Sequence, residues 1–383
     1  MDYRILYGYP YGLPWLRLDA KKKQFRLLSL HLGEPNAEVS CSLLRDSLEG
    51  MPLQKYETIS YVWGDTTTKK TIRLNGYEIG VGASAKRVLR RFRLPHRSRF
   101  LWIDAVCIIQ NDLEERSQQV ALMADIYSKA AHGLIWLGDD DGYAHAARDC
   151  INAVYEDARG QTDNFRLLKE TVYDDTGRLR YSATGLAIDI DPAPLARLLE
   201  CPWFQRLWVV QEASLADTST CYWGDVKLWL TKVLTTWLTH KYAYLSFEVL
   251  TMMPRIDNAS MMWELADKAN SPFRGSWAKD IDLIFLLDMV RSFHAHDSRD
   301  HVFGIIGLYQ RFTNDLVPDV PLPVELVPDY TKPWAEVYRD ATRFAVEETR
   351  DLSLLYELYR RPAEIADDMP FTNMGTALGS AFR

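Results

Sequence analysis

Three short, dense patches of apolar residues, each containing a few polar ones, constrain the fold of this chain more than any other feature. They lie at residues 56–65 (YETISYVWGD), 100–110 (FLWIDAVCIIQ) and 203–212 (WFQRLWVVQE). The first two are typical of strands that are buried in an α/β sheet and end at its functional edge. The third is typical of a helix, and its spacing places Gln205, Trp208 and Glu212 on one face.

Strand patterns outside the patches predict antiparallel pairing. Residues 24–32 and 38–44 alternate apolar and polar side chains and are separated by turn residues. They are expected to form a small antiparallel element that precedes the main sheet. Further on, Asn75-Gly76 lies between two strand-like runs, 71–74 and 77–81. This dipeptide predicts a tight hairpin, because both of its residues tolerate the positive φ that such a turn requires.

Helix signals separate the strands of the core. Ser84 is expected to cap a helix over 85–93, and Asp112 followed by Glu115 predicts a capping box at the start of the next helix. Between these helices, residues 100–109 are apolar at nearly every position, which predicts one strand buried on both faces. The alternation of strand and helix favours a parallel, doubly wound sheet.

Composition and pattern divide the chain into four segments. Residues 1–50 are expected to form an N-terminal arm and β element, 51–225 the α/β domain, 226–355 a helical region and 356–383 a tail. Within the second segment, the polar and irregular stretch 155–190 predicts an insertion or a lid.

Composition also argues against several functional classes. A net charge of −7, with few clusters of Lys or Arg, does not favour nucleic-acid binding. No apolar run approaches the roughly 20 residues that a membrane-spanning helix needs, so a cytoplasmic protein is expected. The five cysteines include no Cys-x-x-Cys pair, and neither a disulfide framework nor a zinc site is indicated.

No familiar cofactor or hydrolase motif is present. The sequence contains no phosphate loop, dinucleotide fingerprint, Gly-x-Ser-x-Gly elbow or His-Glu-x-x-His helix, so no bound cofactor is expected. His294, His296 and His301 lie near Asp297 and Asp300 but are loosely spaced, which does not favour a metal site. Asp297 is better interpreted as a helix cap.

The three patches resemble the fungal heterokaryon-incompatibility (HET) domain. The resemblance extends to ERSQQVALM at 115–123, WLG at 136–138, DSRDHVFGIIGL at 297–308 and PDYTKP at 328–333, and it covers roughly residues 25–355. One departure is Ile109, which stands where the family has Asn. The resemblance implies a role in non-self recognition and programmed cell death.

The order of elements is also similar to that of the TIR domain, a flavodoxin-like fold. In TIR proteins that cleave NAD, the essential Glu lies on the helix after the third strand, in a Trp-Cys-x-x-Glu context. Glu212, in WVVQE at 208–212, occupies the corresponding place. The resemblance implies a TIR-like parallel sheet core, with NAD as a substrate and self-association on activation. We expect the N-terminal antiparallel element and a C-terminal helical region to flank that core.

Ligands of parallel α/β sheets bind at the carboxyl ends of the strands. With Glu212 as the catalytic carboxylate, this places the following substrate-binding candidates around one crevice: Tyr61, Trp63, Gly64, Asp65, Asp104, Gln110, Arg206 and Trp208. A buried carboxylate near the ribose can stabilise the oxocarbenium-like transition state of nicotinamide release by electrostatic preorganisation.

Structural roles for the same residues remain open at this stage. Glu212 would pair with Arg206 or with a neighbouring basic residue at the surface, and Asp104 would be a buried cap or ion-pair partner. Trp63 and Trp208 would belong to the core. Arg206 would clamp a substrate phosphate or anchor its helix to the acidic loop at 139–141. Two other functions are open: a non-enzymatic signalling module acting by self-association, and a secondary-metabolism enzyme that uses the same scaffold.

Overall fold

The structure is a computed structural model that describes most of the chain. The described residues are 16–34, 36–65, 67–159, 172–173, 179–181, 188–190, 193–244, 258–270, 281–317 and 320–350. Most of the predicted N-terminal arm and the whole of the predicted tail, 356–383, lie outside these ranges. Within them, no helix is both long and apolar enough to cross a membrane.

The strands belong to two sheets. They are β1 Gln24–Leu30, β2 Ser40–Ser47, β3 Glu57–Tyr61, β4 Lys69–Leu74, β5 Tyr77–Gly82, β6 Arg99–Trp102, β7 His132–Gly138, β8 Val172–Tyr173, β9 Leu179–Tyr181, β10 Ile188–Ile190, β11 Ser219–Trp223 and β12 Val226–Trp229. Nine described strands form one sheet in the order β12-β11-β7-β3-β6-β1-β2-β4-β5, and β8, β9 and β10 form a small second one.

Helices surround the large sheet and continue beyond it. They are α1 Ala83–Phe92, α2 Asp104–Cys107, α3 Leu113–Ser128, α4 Ala144–Arg159, α5 Ala193–Leu199, α6 Val209–Leu215, α7 Leu230–Tyr244, α8 Asn258–Asn270, α9 Leu283–Met289, α10 Asp300–Leu316 and α11 Trp334–Thr349. The fold is therefore α/β, as the sequence predicts, and the described part of the chain after β12 is helical.

The centre of the large sheet is parallel and its flanks are mixed. β3 pairs in parallel with β6 on one side and with β7 on the other, and β11 pairs in parallel with β7. β1 pairs antiparallel with both β6 and β2. The predicted antiparallel pairing of β1 and β2 is confirmed. These two strands do not form a separate unit, because β1 also pairs with β6 and both strands belong to the large sheet.

The second apolar patch contains a turn that its hydropathy does not show. The prediction of one strand over 100–109 is wrong: β6 ends at Trp102, and α2 then forms a helical turn from Asp104 to Cys107. Val106 and Cys107 are fully buried in this turn. A short buried helix and a buried strand expose equally little, so an apolar run alone does not separate them.

The local signals predict the hairpin correctly and the helix ends only in part. Asn75 and Gly76 both have positive φ, which confirms the tight turn between β4 and β5. Ser84 does not cap α1; Gly82 is the N-cap residue, and no side chain bonds to the free N–H groups there. Asp112 does cap α3, accepting hydrogen bonds from the next turn of backbone.

The predicted insertion contains more regular structure than its composition indicates. α4 continues to Arg159, and the short strands β8, β9 and β10 pair antiparallel within the 155–190 stretch. The remaining residues of that stretch lie outside the described ranges.

α10 packs against α3 and α6. Two glycines of α10 lie at the crossing. A Cβ added at Gly304 would lie 3.0 Å from the Leu207 side chain, and one added at Gly307 would overlap the Ala124 Cβ. The three helices therefore approach more closely than larger side chains would allow.

We expect Gly307→Ala to lower the free energy of unfolding by about 1–3 kcal/mol, the usual effect of overpacking. Alanine is more favourable than glycine inside a helix. At a site without close neighbours, the same substitution would therefore raise the free energy of unfolding by about 0.5–1 kcal/mol. Chemical denaturation of the variant beside the parent chain measures the sign. Stabilisation would contradict the close contact with Ala124.

Candidate functional site

Glu212 lies in the first turn of α6, and its side chain reaches the end of β3. Only 5% of its surface is exposed. The Ser60 hydroxyl of β3 donates a hydrogen bond to Glu212 Oε2, and the Trp203 indole Nε1 donates one to Ser60 Oγ over 2.6 Å. Ser60 thus joins the carboxylate to the sheet and to the aromatic core.

Burial shifts the proton affinity of this carboxylate. Its pKa rises from 4.5 to about 7, mainly because the surrounding protein disfavours the charged form; the Arg206 charge and the Ser60 hydrogen bond oppose the rise. The Tyr127 phenol of α3 also interacts with Glu212, and burial raises the pKa of Tyr127 further above its ordinary value. A carboxyl with a pKa near 7 can take up or release a proton at neutral pH.

Asp104 is the second acidic group of this region. Trp63 Nε1 donates to Asp104 Oδ2 over 3.0 Å, and the Ala105 N–H donates to Oδ1 over 2.7 Å. Gln110 Nε2 donates to the backbone oxygen of Asp104 over 2.9 Å, which holds the turn α2 in place. Burial raises the pKa of Asp104, while the Arg206 charge lowers it.

Arg206 is held between these groups by the backbone. Its Nη1 donates to the Tyr61 carbonyl oxygen, and its main chain bridges to His294. Its charge acts on both Asp104 and Glu212. Asp139 of the acidic loop pairs with Arg87, and Asp141 pairs with Arg197. The interpretation of Arg206 as an anchor for that loop is therefore wrong.

The loop after β3 contains Gly64 and Asp65. Gly64 has a φ of +62°, a conformation that favours glycine. A Cβ added there would lie 3.0 Å from Ser84 Oγ. Asp65 is exposed and accepts hydrogen bonds from the Thr67 N–H and from the Thr67 and Thr68 hydroxyls, which lowers its pKa to about 2. These bonds organise the loop beside the buried carboxylates.

The third patch is not one helix, contrary to the prediction. A 3-10 turn over Pro202–Gln205 is followed by Arg206 in an extended conformation, and α6 begins only at Val209. The extended residue is the one that pairs with the His294 backbone. The break separates Gln205 from the face of Glu212.

The Trp208 indole bonds to α10 and not to Glu212. Its Nε1 donates to Asp300 Oδ2 over 3.0 Å. The structure thus gathers Tyr61, Trp63, Asp104, Arg206 and Glu212 at the ends of β3 and β6. Gln110 supports that group through the backbone, and Gly64 and Asp65 lie in the adjoining loop.

Residue patterns do not identify three groups that contact or support the buried carboxylate. Ser60, Tyr127 and Trp203 lie in segments whose pattern is typical of core. A polar side chain inside an otherwise apolar strand is the available signal for Ser60.

A buried ion pair lies beside Ile109, the position that departs from the family. The sequence predicts that Glu115 completes a capping box, but its carboxylate instead pairs with both terminal nitrogens of Arg26, at 2.6 and 2.7 Å. Glu115 Oε1 also accepts the Ile109 N–H over 2.8 Å. The contact at position 109 is made by the backbone, which does not depend on a polar side chain there.

Asp297, the neighbouring histidines and Cys107 do not form a second chemical site in the described ranges. Asp297 does not cap a helix as predicted; it pairs with Arg299, and Arg299 precedes α10. In the described ranges, no three His, Cys, Asp or Glu side chains are grouped as metal ligands. Cys107 is buried, and burial raises the pKa of its thiol to about 12, which disfavours a nucleophilic thiolate.

Comparison with known proteins adds to this geometry. Residues 56–212 match the sequence model of the family described as "Heterokaryon incompatibility protein (HET)". This segment of the chain is similar to a HET domain. The matched segment begins just before β3 and ends at Glu212, so it includes the group gathered at the ends of β3 and β6.

A curated relative agrees with this similarity. "Heterokaryon incompatibility protein 6, OR allele" of Neurospora crassa is 31% identical over 229 residues, which cover 52% of this chain and 33% of that protein. The chain therefore matches about a third of the length of the relative. No solved structure matches the chain significantly.

Proposed function

We propose that this chain acts in fungal non-self recognition and programmed cell death, and that its HET domain hydrolyses the N-glycosidic bond of NAD or a related nucleotide. Glu212 is the proposed essential carboxylate. One observation carries the proposal: Glu212 is buried at the end of a central parallel strand, bonded to Ser60, with a pKa of about 7. The family match and the Neurospora relative support the biological role.

Topology supports the choice of ligand position. Numbered among themselves along the chain, the parallel strands β3, β6, β7 and β11 lie in the order 2-1-3-4. Flavodoxin-like sheets have this order, and their ligands bind where the strand order reverses, between the first and third strands. Glu212 and Arg206 both bond to residues at the end of the first of these strands, Ser60 and Tyr61.

The proposed reaction needs little proton chemistry. The bond between ribose C1′ and the nicotinamide nitrogen breaks, and its electron pair neutralises the cationic ring. Water then attacks the oxocarbenium-like carbon, and its proton is released. A negative charge on Glu212 stabilises the developing positive charge, an interaction that is strong in a site excluded from water.

The neighbouring groups have proposed binding roles. Trp63 is partly exposed and held by Asp104, so its ring offers a fixed apolar surface to a base. Arg206 carries the positive charge nearest the two carboxylates and is proposed to bind a phosphate. Self-association on activation is proposed by analogy with TIR domains. A cytoplasmic site of action is also part of the proposal.

Incubation with NAD at high protein concentration tests the proposal. We expect the parent chain to release nicotinamide, which chromatography measures. We expect Glu212→Gln to release none, because the amide keeps the shape of the side chain and removes its charge. Glu336→Gln, in the first turn of α11 with a side chain that is 39% exposed, is the matched control and is expected to retain the release.

The outcomes separate the alternatives. Release that persists undiminished in Glu212→Gln would remove Glu212 from the reaction. No release by the parent chain, with or without a crowding agent, would overturn NAD hydrolysis and favour the signalling module or another substrate. Circular dichroism of each variant establishes that the comparison is between folded chains.

A further inference from the structure

The carboxylate of Asp300 lies outside the segment that matches the HET family, yet it contacts the element that carries Glu212. Asp300 is 4% exposed at the start of α10. Its Oδ2 accepts the Trp208 indole N–H, and its Oδ1 accepts the Tyr330 hydroxyl over 2.5 Å. Arg116 lies 3.7 Å away. Both oxygens are thus used within the protein, which favours a structural task over ligand binding.

We propose that Asp300 is a positioning residue: by binding the Trp208 indole, it sets α6 so that Glu212 lies against Ser60. This inference rests on the proposed function for its kinetic consequence, but the placement of Glu212 can be measured without it.

The link from Trp208 to Glu212 is one helical turn long. Trp208 is the N-cap residue of α6, and its carbonyl oxygen accepts the Glu212 N–H over 3.2 Å. A shift of the anchored indole would therefore move the backbone group to which Glu212 is bonded. Displacement of a catalytic group by about 1 Å can lower a rate by about a hundredfold.

A second bond fixes the same helix to α10. Gln211 Nε2 donates to the Gly304 carbonyl oxygen over 2.6 Å. Trp208 and Gln211 are three residues apart on α6, and their partners Asp300 and Gly304 are four apart on α10. These spacings place each pair on one helix face, so the two helices contact along a common line.

The helix α3, which carries Tyr127, also contacts Asp300. Tyr127, which interacts with Glu212, lies on α3. Arg116, also on α3, lies 3.7 Å from Asp300 and stacks 3.7 Å from the centre of the Tyr330 ring. α10 therefore contacts both helices whose side chains surround the Glu212 carboxylate.

Two matched variants test the inference. Trp208→Phe and Tyr330→Phe each remove one hydrogen bond to the same carboxylate, but only the first acts on α6. With NAD, we expect Trp208→Phe to lower kcat on the order of tenfold to a hundredfold with little change in KM. Tyr330→Phe is expected to stay within about threefold of the parent chain.

A readout independent of turnover is the titration of Glu212. In protein labelled with carboxyl-13C glutamate, the Glu212 resonance is assigned as the one missing from Glu212→Gln. We expect its midpoint to shift in Trp208→Phe and to stay near the parent value in Tyr330→Phe. This measurement remains informative if the chain does not hydrolyse NAD, so the two proposals can fail separately.

Other results would overturn the positioning role. Equal shifts in both variants would show that Asp300 only stabilises the fold. A higher KM with unchanged kcat and an unshifted Glu212 would make Trp208 a binding surface for substrate. If Trp208→Phe changes neither the kinetics nor the titration of Glu212, the bond between Trp208 and Asp300 does not position Glu212.

Discussion

Replacing Arg26 with methionine is expected to lower the free energy of unfolding by about 3–5 kcal/mol, the usual cost of leaving one partner of a buried ion pair alone. Arg26 is fully buried in β1 and pairs with Glu115 through two short bonds. It also donates hydrogen bonds to the Leu16 and Cys107 carbonyl oxygens, each with a length of 3.0 Å. The variant removes all of these donors at once.

The adjacent strand supplies a control. Arg45 lies opposite Arg26 in the pairing of β1 and β2, but it is exposed. We expect Arg45→Met to change stability by less than about 0.5 kcal/mol, as for most surface substitutions. Urea unfolding of both variants measures the contrast. The double variant Arg26→Met, Glu115→Met should recover part of the loss, because the uncompensated charge is gone. Similar midpoints for the two single variants would contradict the buried pair.

Glu212→Gln is expected to make the protein more stable relative to the parent chain as the pH rises. The folded-state pKa of Glu212, about 7, exceeds the ordinary value of 4.5. Between these values the folded chain holds more protons than the unfolded chain, so the contribution of Glu212 to stability is present at low pH and is lost as the pH rises through 7. Glutamine carries no such dependence.

The expected size follows from about 1.4 kcal/mol per pKa unit. Between pH 5 and pH 8, the difference in unfolding free energy between Glu212→Gln and the parent should change by about 2–3 kcal/mol in favour of the variant. Denaturant unfolding at both pH values measures it, and other titrating groups largely cancel in the difference. A constant difference would mean that Glu212 titrates near 4.5 and is not held in a charge-disfavouring site.

The centre of the fold could be predicted from the sequence because its signals are local. The patch at 56–65 contains β3, and Asn75-Gly76 forms the predicted turn. The end of β6 could not be predicted, since the apolar run continues past Trp102 and, apart from Asp104, through the helical turn α2. Hydropathy records burial, and both conformations bury these residues equally.

The candidate site was predictable where charge or an aromatic ring interrupted an apolar patch, as at Trp63, Asp104 and Glu212. Hydroxyl groups such as Ser60 occur throughout the sequence and do not stand out in it. The bond from Trp208 to Asp300 joins residues 92 positions apart. No local period relates two such residues, so the pairing becomes visible only when α6 and α10 are packed.

The position of α10 in the chain also determines the order in which the protein can be assembled during synthesis. Elements leave the ribosome from the N-terminus, and domains generally begin to fold as they emerge. The strands of the large sheet all precede residue 230, whereas Asp300 and Tyr330 follow it by 70 and 100 positions. A nascent chain can therefore pair its sheet, and bring Glu212 to Ser60, before α10 has been made. If Asp300 positions Glu212 as proposed, the final placement of the carboxylate follows the synthesis of α10.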